Sequence, residues 1–192
     1  TAPADKSRGF FEVNRMFTIE NLQFFMELVG TFAFASSGAL MAIRKHFDVF
    51  GVCVLGVTAS VGGGLIRDLI LGNKPPAMFK DPTYTEIAVG VSLILFILIY
   101  KKHDPTAGEH TKAYDLIINI FDTIGLGIFT VAGMDTARGC GYRAGFIVIF
   151  VGVLTGVGGG VLRDVLAQEK PYILTRHIYA CASIVGAIVC FY

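Results

Sequence analysis

Residues 56–75 read GVTASVGGGLIRDLILGNKP, and residues 152–171 read GVLTGVGGGVLRDVLAQEKP. The second stretch repeats the first at an offset of 96, with ten of twenty positions identical. The shared positions include the glycine triplets Gly62, Gly63, Gly64 and Gly158, Gly159, Gly160. Arg67-Asp68 matches Arg163-Asp164, and Lys74-Pro75 matches Lys170-Pro171. Upstream, an offset of 95 pairs Glu27 with Asp122, Gly30 with Gly125, Phe34 with Phe129 and Gly38 with Gly133. Agreement of this length marks an internal duplication, and its period sets the architecture.

The composition around the duplication names the solvent. Hydrophobic residues make up 54% of the 192, charged residues 16%, and the mean hydropathy is +0.64. A soluble domain carries about 25% charged residues. This chain lacks the polar surface to cover a water-exposed globule, which excludes a soluble enzyme and a disordered chain. Lipid is the alternative. A spanning helix needs about 20 mostly apolar residues. Six segments are read as spans, at 22–43, 49–71, 83–100, 114–134, 144–166 and 173–192. Residues 49–66 and 144–162 contain no charge at all, whereas the third and sixth segments are weaker. Strands are not needed, because a backbone in lipid satisfies itself as a helix over runs of this length.

Each copy of the repeat then holds three spans. Three is odd, so the second copy enters the membrane from the opposite side. The expected fold is an all-α membrane protein of two inverted-topology three-helix repeats. Its parts are a polar segment at 1–21, repeat 1 at 22–100, a loop at 101–113 and repeat 2 at 114–192. Inverted repeats recur in transporters, with sites near the midplane on interrupted helices. Lysines and arginines divide seven against seven between the two sides, so charge bias gives no orientation.

Other classes fall away. The net charge is +1 with no long basic run, so no nucleic-acid partner is expected. Cys53, Cys140, Cys181 and Cys190 form no C-x-x-C pair and read as buried free thiols, with neither a disulfide framework nor a metal site. His46, His103, His110 and His177 fall at span ends or in loops with no ligand spacing. There is no H-E-x-x-H, no G-x-S-x-G and no nucleotide-binding glycine motif, so no enzyme and no cofactor are expected.

The chemistry lies along the duplicated spans. A glycine in a helix costs about 1 kcal/mol relative to alanine, so each triplet is a weak point. One reading is a kink in the second and fifth spans that opens a path. The other is close helix packing through the ladders Gly56, Ser60, Gly64 and Gly152, Gly156, Gly160. Arg67-Asp68 and Arg163-Asp164 follow about one turn later. Ionisable groups in spans face a cavity or a partner, or snorkel to the headgroups. The functional reading puts them on the pore as lining or gating residues. Glu27 and Asp122 are read as carboxylates at the two mouths, or as interfacial acids. Thr58, Ser60 and Thr155 supply oxygens to the path or bond their own helices. Asp135 is read as a loop-edge or capping residue.

The motif V-G-G-G-[LV]-[IL]-R-D, twice and followed by K-P, closely resembles the prokaryotic family with duplicated glycine-transporter domains, related to the TRIC (trimeric intracellular cation) channels. The similarity covers about residues 22–192. It implies a homotrimer in the bilayer, in a prokaryotic inner membrane, with one pore per subunit conducting monovalent cations, chiefly potassium. It further implies a pore lined by the second and fifth helices and kinked at the triplets, an N-terminus on the outer side, and a seventh helix beyond the six read here. The lysine motif of the animal channels is not evident in residues 61–68, so phosphoinositide regulation does not carry over. A secondary transporter for a small solute such as glycine is the competing reading, and a purely structural membrane protein is a third.

Overall fold

The computed structural model describes residues 6–100, 111–171, 174 and 177–192. Its elements are α1 (Lys6–Arg44), α2 (Val49–Leu71), α3 (Ala77–Lys80), α4 (Thr83–Tyr100), α5 (Thr111–Gly139), α6 (Gly145–Leu166) and α7 (His177–Phe191). No strand occurs among the described residues. Among the described residues, four segments are long and apolar enough to cross a membrane: Asn21–Arg44, Val49–Leu71, Tyr114–Gly139 and Gly145–Leu166. Thr83–Ile99 and Cys181–Phe191 are apolar but shorter, in line with the weaker third and sixth segments.

Some boundaries differ from expectation. The helix containing the first span begins at Lys6, inside the stretch read as a polar segment. Residues 6–21 hold no proline and only Gly9 as a weak helix former, so nothing in that stretch stops the helix. A one-turn helix, α3, interrupts the connection after α2. Residues 101–110 of the long loop lie outside the described residues, and 111–113 already belong to α5.

The duplication is visible in how α2 and α6 stop. Gly72 takes φ 73 after α2, and Gln168 takes φ 56 at the matching place after α6. Asn73 donates its N–H to the Asp68 carbonyl at 2.8 Å, as Glu169 does to Asp164 at 2.9 Å. Both helices thus end in the same left-handed cap, which tie up orphan carbonyls. A left-handed conformation costs a residue with a Cβ about 1–2 kcal/mol. Gln168→Gly is therefore expected to stabilise the protein by about 1 kcal/mol, read as a raised Tm in detergent.

Helix α1 packs on α2, α4 and α5; α2 packs on α4 and α6; α5 packs on α6 and α7. Contact pairs give the sense of α1 and α5. Gly30 meets Phe129, Phe34 meets Gly125, Ser37 meets Asp122 and Arg44 meets Asp115. One number rises as the other falls, so these helices run antiparallel. The contacts are also reciprocal. Phe34 lies over Gly125 while Phe129 lies over Gly30, and the two rings stack at 5.5 Å and 12°.

Glycines let these helices approach. A Cβ on Gly38 would lie 2.9 Å from the Gly56 Cα, and one on Gly133 would lie 3.0 Å from the Gly152 Cα. Each half therefore has the same glycine-to-glycine contact, α1 on α2 and α5 on α6. The outer faces carry large apolar side chains such as Phe146 and Phe50, 81% and 74% exposed, as lipid-facing surfaces do. Ion pairs mark the helix ends: Arg44 with Asp115, and Lys45 with Glu169. The Lys45 hydrogen bond holds the Glu169 carboxyl below its ordinary range.

Candidate functional site

The centre of the molecule is the crossing of α2 and α6. A Cβ on Gly63 would fall 2.1 Å from the Thr155 carbonyl oxygen, and one on Gly159 would fall 2.0 Å from that of Ala59. Ala59 and Thr155 are themselves matching positions of the repeat, so this contact is reciprocal too. A Cβ on Gly158 would fall 3.1 Å from the Gly63 Cα. The middle glycines thus allow two backbones to touch, the packing reading of the triplet. Both helices run unbroken through their triplets, from Val49 to Leu71 and from Gly145 to Leu166. The last glycines differ. Among the described residues, Gly160 has nothing within 4 Å of an added Cβ, and Gly64 has only the Arg67 guanidinium, at 3.7 Å. Gly64 lies on a cavity.

The two Arg-Asp pairs meet different surroundings. Arg163 is 1% exposed. Its Nε donates to Asp164 at 2.8 Å and its Nη2 to the same oxygen at 2.6 Å. Its Nη1 donates to Asp122 and to the Ser37 hydroxyl. Ser37 in turn donates to Asp122 at 2.6 Å. Four elements of charge and polarity from α1, α5 and α6 thus close into one buried network. Burying an ion is costly, and a network survives only when its members satisfy one another. Asp122 is 2% exposed, so it stands inside the protein against Arg163 and not at a mouth.

Arg67 is more open. Its Nε donates to Asp68 at 2.8 Å, and the other Asp68 oxygen accepts the Ala77 N–H at 2.7 Å. Asp68 therefore ties the end of α2 to α3. The Arg67 guanidinium borders a cavity of about 250 Å³ together with Glu27, Thr31, Ser60, Tyr84 and Thr136. Glu27 does not pair with Arg67. It accepts from the Tyr84 hydroxyl at 2.6 Å and from the Gln23 amide at 3.3 Å. The cavity is bordered by two carboxylates, Glu27 and Asp68, one guanidinium and several hydroxyls beside a glycine triplet.

The remaining expected oxygens divide. Ser60 lines the cavity while donating to its own helix at Gly56 and Val57, 3.0 Å each. Thr155 is 1% exposed, donates to Val151 at 2.6 Å and packs against Gly133. Thr58 is half-buried and does not line this cavity. Asp135 is in the last turns of α5, near its end, paired with Arg138 at 3.6 Å. Cys53 is half-buried, and Cys140, Cys181 and Cys190 are exposed, contrary to the expectation of buried thiols. On an outer face against lipid a thiol needs no burial in protein. The described residues contain no cluster of His, Cys, Asp and Glu fit to hold a metal.

Two important residues were not singled out in the sequence. Ser37 sits in an apolar run whose only signal is a pair of hydroxyls, Ser36-Ser37. Tyr84 opens the third span and has no counterpart in the quoted motif. Its role depends on α4 lying beside α1, which no local pattern states.

Antiparallel, duplicated helices, an apolar exterior and a buried charged centre define an integral membrane protein built around a polar core. Comparison with known proteins agrees. A family model described as "Glycine transporter" matches residues 24–100 and again 119–192. The inner membrane protein YadS of Escherichia coli is 40% identical over 169 residues, covering 88% of this chain and 77% of its own. A membrane protein of Deinococcus radiodurans is 40% identical over 164 residues, covering 84% and 72%. Among solved structures, the TRIC trimeric intracellular cation channel orthologue from Rhodobacter sphaeroides superposes with a TM-score of 0.78 at 34% identity, over 88% of this chain and 82% of that one. A prokaryotic TRIC channel crystallised in 0.5 M KCl gives 0.78 at 33% identity, over 90% and 91%. The chain belongs to the TRIC-type family with duplicated glycine-transporter domains.

Proposed function

We propose that the protein is a monovalent cation channel of the bacterial inner membrane, permeable to potassium. The observation that carries this reading is the likeness to prokaryotic TRIC cation channels over nearly the whole chain, at a TM-score of 0.78. In this reading residues 22–100 and 114–192 are two inverted three-helix repeats, with α4 and α7 as their third spans. The antiparallel run of α1 against α5 and the reciprocal glycine contacts support it. Three subunits assemble, each with its own path beside the α2–α6 crossing.

The residues take unequal parts. Glu27, Ser60 and Arg67 line the path, and Glu27 supplies the negative charge that draws a cation into a low-dielectric cavity. Asp68 neutralises Arg67 and anchors α3. Gly62, Gly63, Gly158 and Gly159 form the crossing on which the path is built. Gly160, and Gly64 with only the Arg67 guanidinium beside it among the described residues, are where the helices bend when the width changes. Arg163, Asp164, Asp122 and Thr155 hold the opposite wall in shape, with Thr58 at its edge.

Single-channel recording of purified protein in planar bilayers, under asymmetric KCl, tests the reading. Discrete steps reversing near the potassium equilibrium potential are expected. Silent bilayers, alongside saturable glycine uptake by vesicles of the same preparation, would replace the channel with a secondary transporter.

A further inference from the structure

Matching positions of the repeat carry an arginine and a carboxylate: Arg163 with Asp122, and Arg67 with Glu27. In the second half the two are bonded and buried. In the first half they border one cavity without being bonded to each other. Glu27 is held by Tyr84 from α4, at 2.6 Å. Arg67 gives its Nε to Asp68, and its terminal nitrogens make no hydrogen bond among the described residues. One side of the cavity thus presents unused guanidinium donors, and the other a carboxylate held from α4 by the Tyr84 hydroxyl and, more weakly, from its own helix by the Gln23 amide. The second half demonstrates that this backbone can bring the two positions together, and it does so with aspartate, one methylene shorter than Glu27.

Resting on the channel reading, we propose that Tyr84 is a positioning residue that holds Glu27 off Arg67, and that transfer of Glu27 from Tyr84 to Arg67 closes the cavity. The two arrangements differ in charge as well as in width. With Glu27 on Tyr84, the carboxylate keeps its charge available to a passing cation. With Glu27 on Arg67, the ion pair bridges the cavity and the attraction is cancelled. The mechanism needs no movement of the α2–α6 crossing, where the backbones are already in contact. It requires only a rotamer change of Glu27 and a shift of Arg67 toward it.

The test is the open probability of full-length channels in symmetric KCl. Tyr84→Phe removes the tether and is expected to lower open probability about tenfold or more, since the lost bond goes to a charged acceptor. Adding Glu27→Gln to Tyr84→Phe removes the closing pair and is expected to restore open probability while unitary conductance falls. An unchanged open probability in Tyr84→Phe overturns the proposal, and so does a loss that Glu27→Gln does not restore. Where Tyr84→Phe does not assemble, Arg67→Gln carries the test. It should raise open probability above wild type, and an equal or lower value overturns the proposal. A silent wild type instead overturns the channel reading itself.

Discussion

Arg163→Ala is expected to yield little or no folded protein, whereas Arg67→Ala should purify as a monodisperse oligomer. The two arginines occupy the same place in the repeat but not in the structure. Arg163 is 1% exposed and holds Asp122, Asp164 and Ser37 together across three helices. Its removal leaves two carboxylates buried without their cation. Breaking a buried pair from one side costs about 3–5 kcal/mol, against a total stability of about 5–15 kcal/mol. Among the described residues Arg67 is bonded to Asp68 alone, and it borders a cavity, so water reaches the carboxylate when the arginine is lost. Size-exclusion profiles and Tm in detergent decide the matter. A wild-type Tm for Arg163→Ala would show that the network does not hold the helices.

The second large effect separates glycines that sit side by side. Gly159→Ala places a methyl 2.0 Å from the Ala59 carbonyl oxygen, a backbone atom that cannot rotate away. Helices α2 and α6 must then separate along their whole crossing. Overpacking costs about 1–3 kcal/mol where side chains can adjust, and this clash between backbones belongs at or above the top of that range. Gly160→Ala meets nothing within 4 Å. It should gain about 1 kcal/mol of helix propensity and leave the assembly intact. If the last glycine of the triplet is where α6 bends, Gly160→Ala will alter channel opening while leaving Tm unchanged or raised. Equal Tm values for the two variants would remove the crossing as the reason for the triplet.

Much of the architecture was legible without coordinates, because lipid imposes simple rules on a chain. Apolar runs such as 49–66 and 144–162 had to become helices, and α2 and α6 begin and end within a residue of the expected spans. The duplication was equally plain, since twenty aligned residues carry it. Less of the candidate site was legible. Arg163 and Asp122 were both singled out, but as a pore residue and a mouth residue, and their partnership was not foreseen. They are 41 positions apart on different helices. Their meeting depends on the antiparallel packing of α1, α5 and α6, which hydropathy does not encode. Tyr84 was missed for the same reason.

By itself, then, the sequence determined the solvent, the helices and the existence of two equivalent halves, because each follows from local composition and from comparing the chain with itself. The tertiary structure alone decided that the halves are not equivalent in packing. One methylene and one tyrosine separate them: Asp122 is buried on Arg163, while Glu27 is drawn away to Tyr84 and leaves Arg67 facing a cavity. The energy of a buried charge is set by the groups within a few ångströms of it. Those neighbours come from other helices, and only the packing of those helices brings them near.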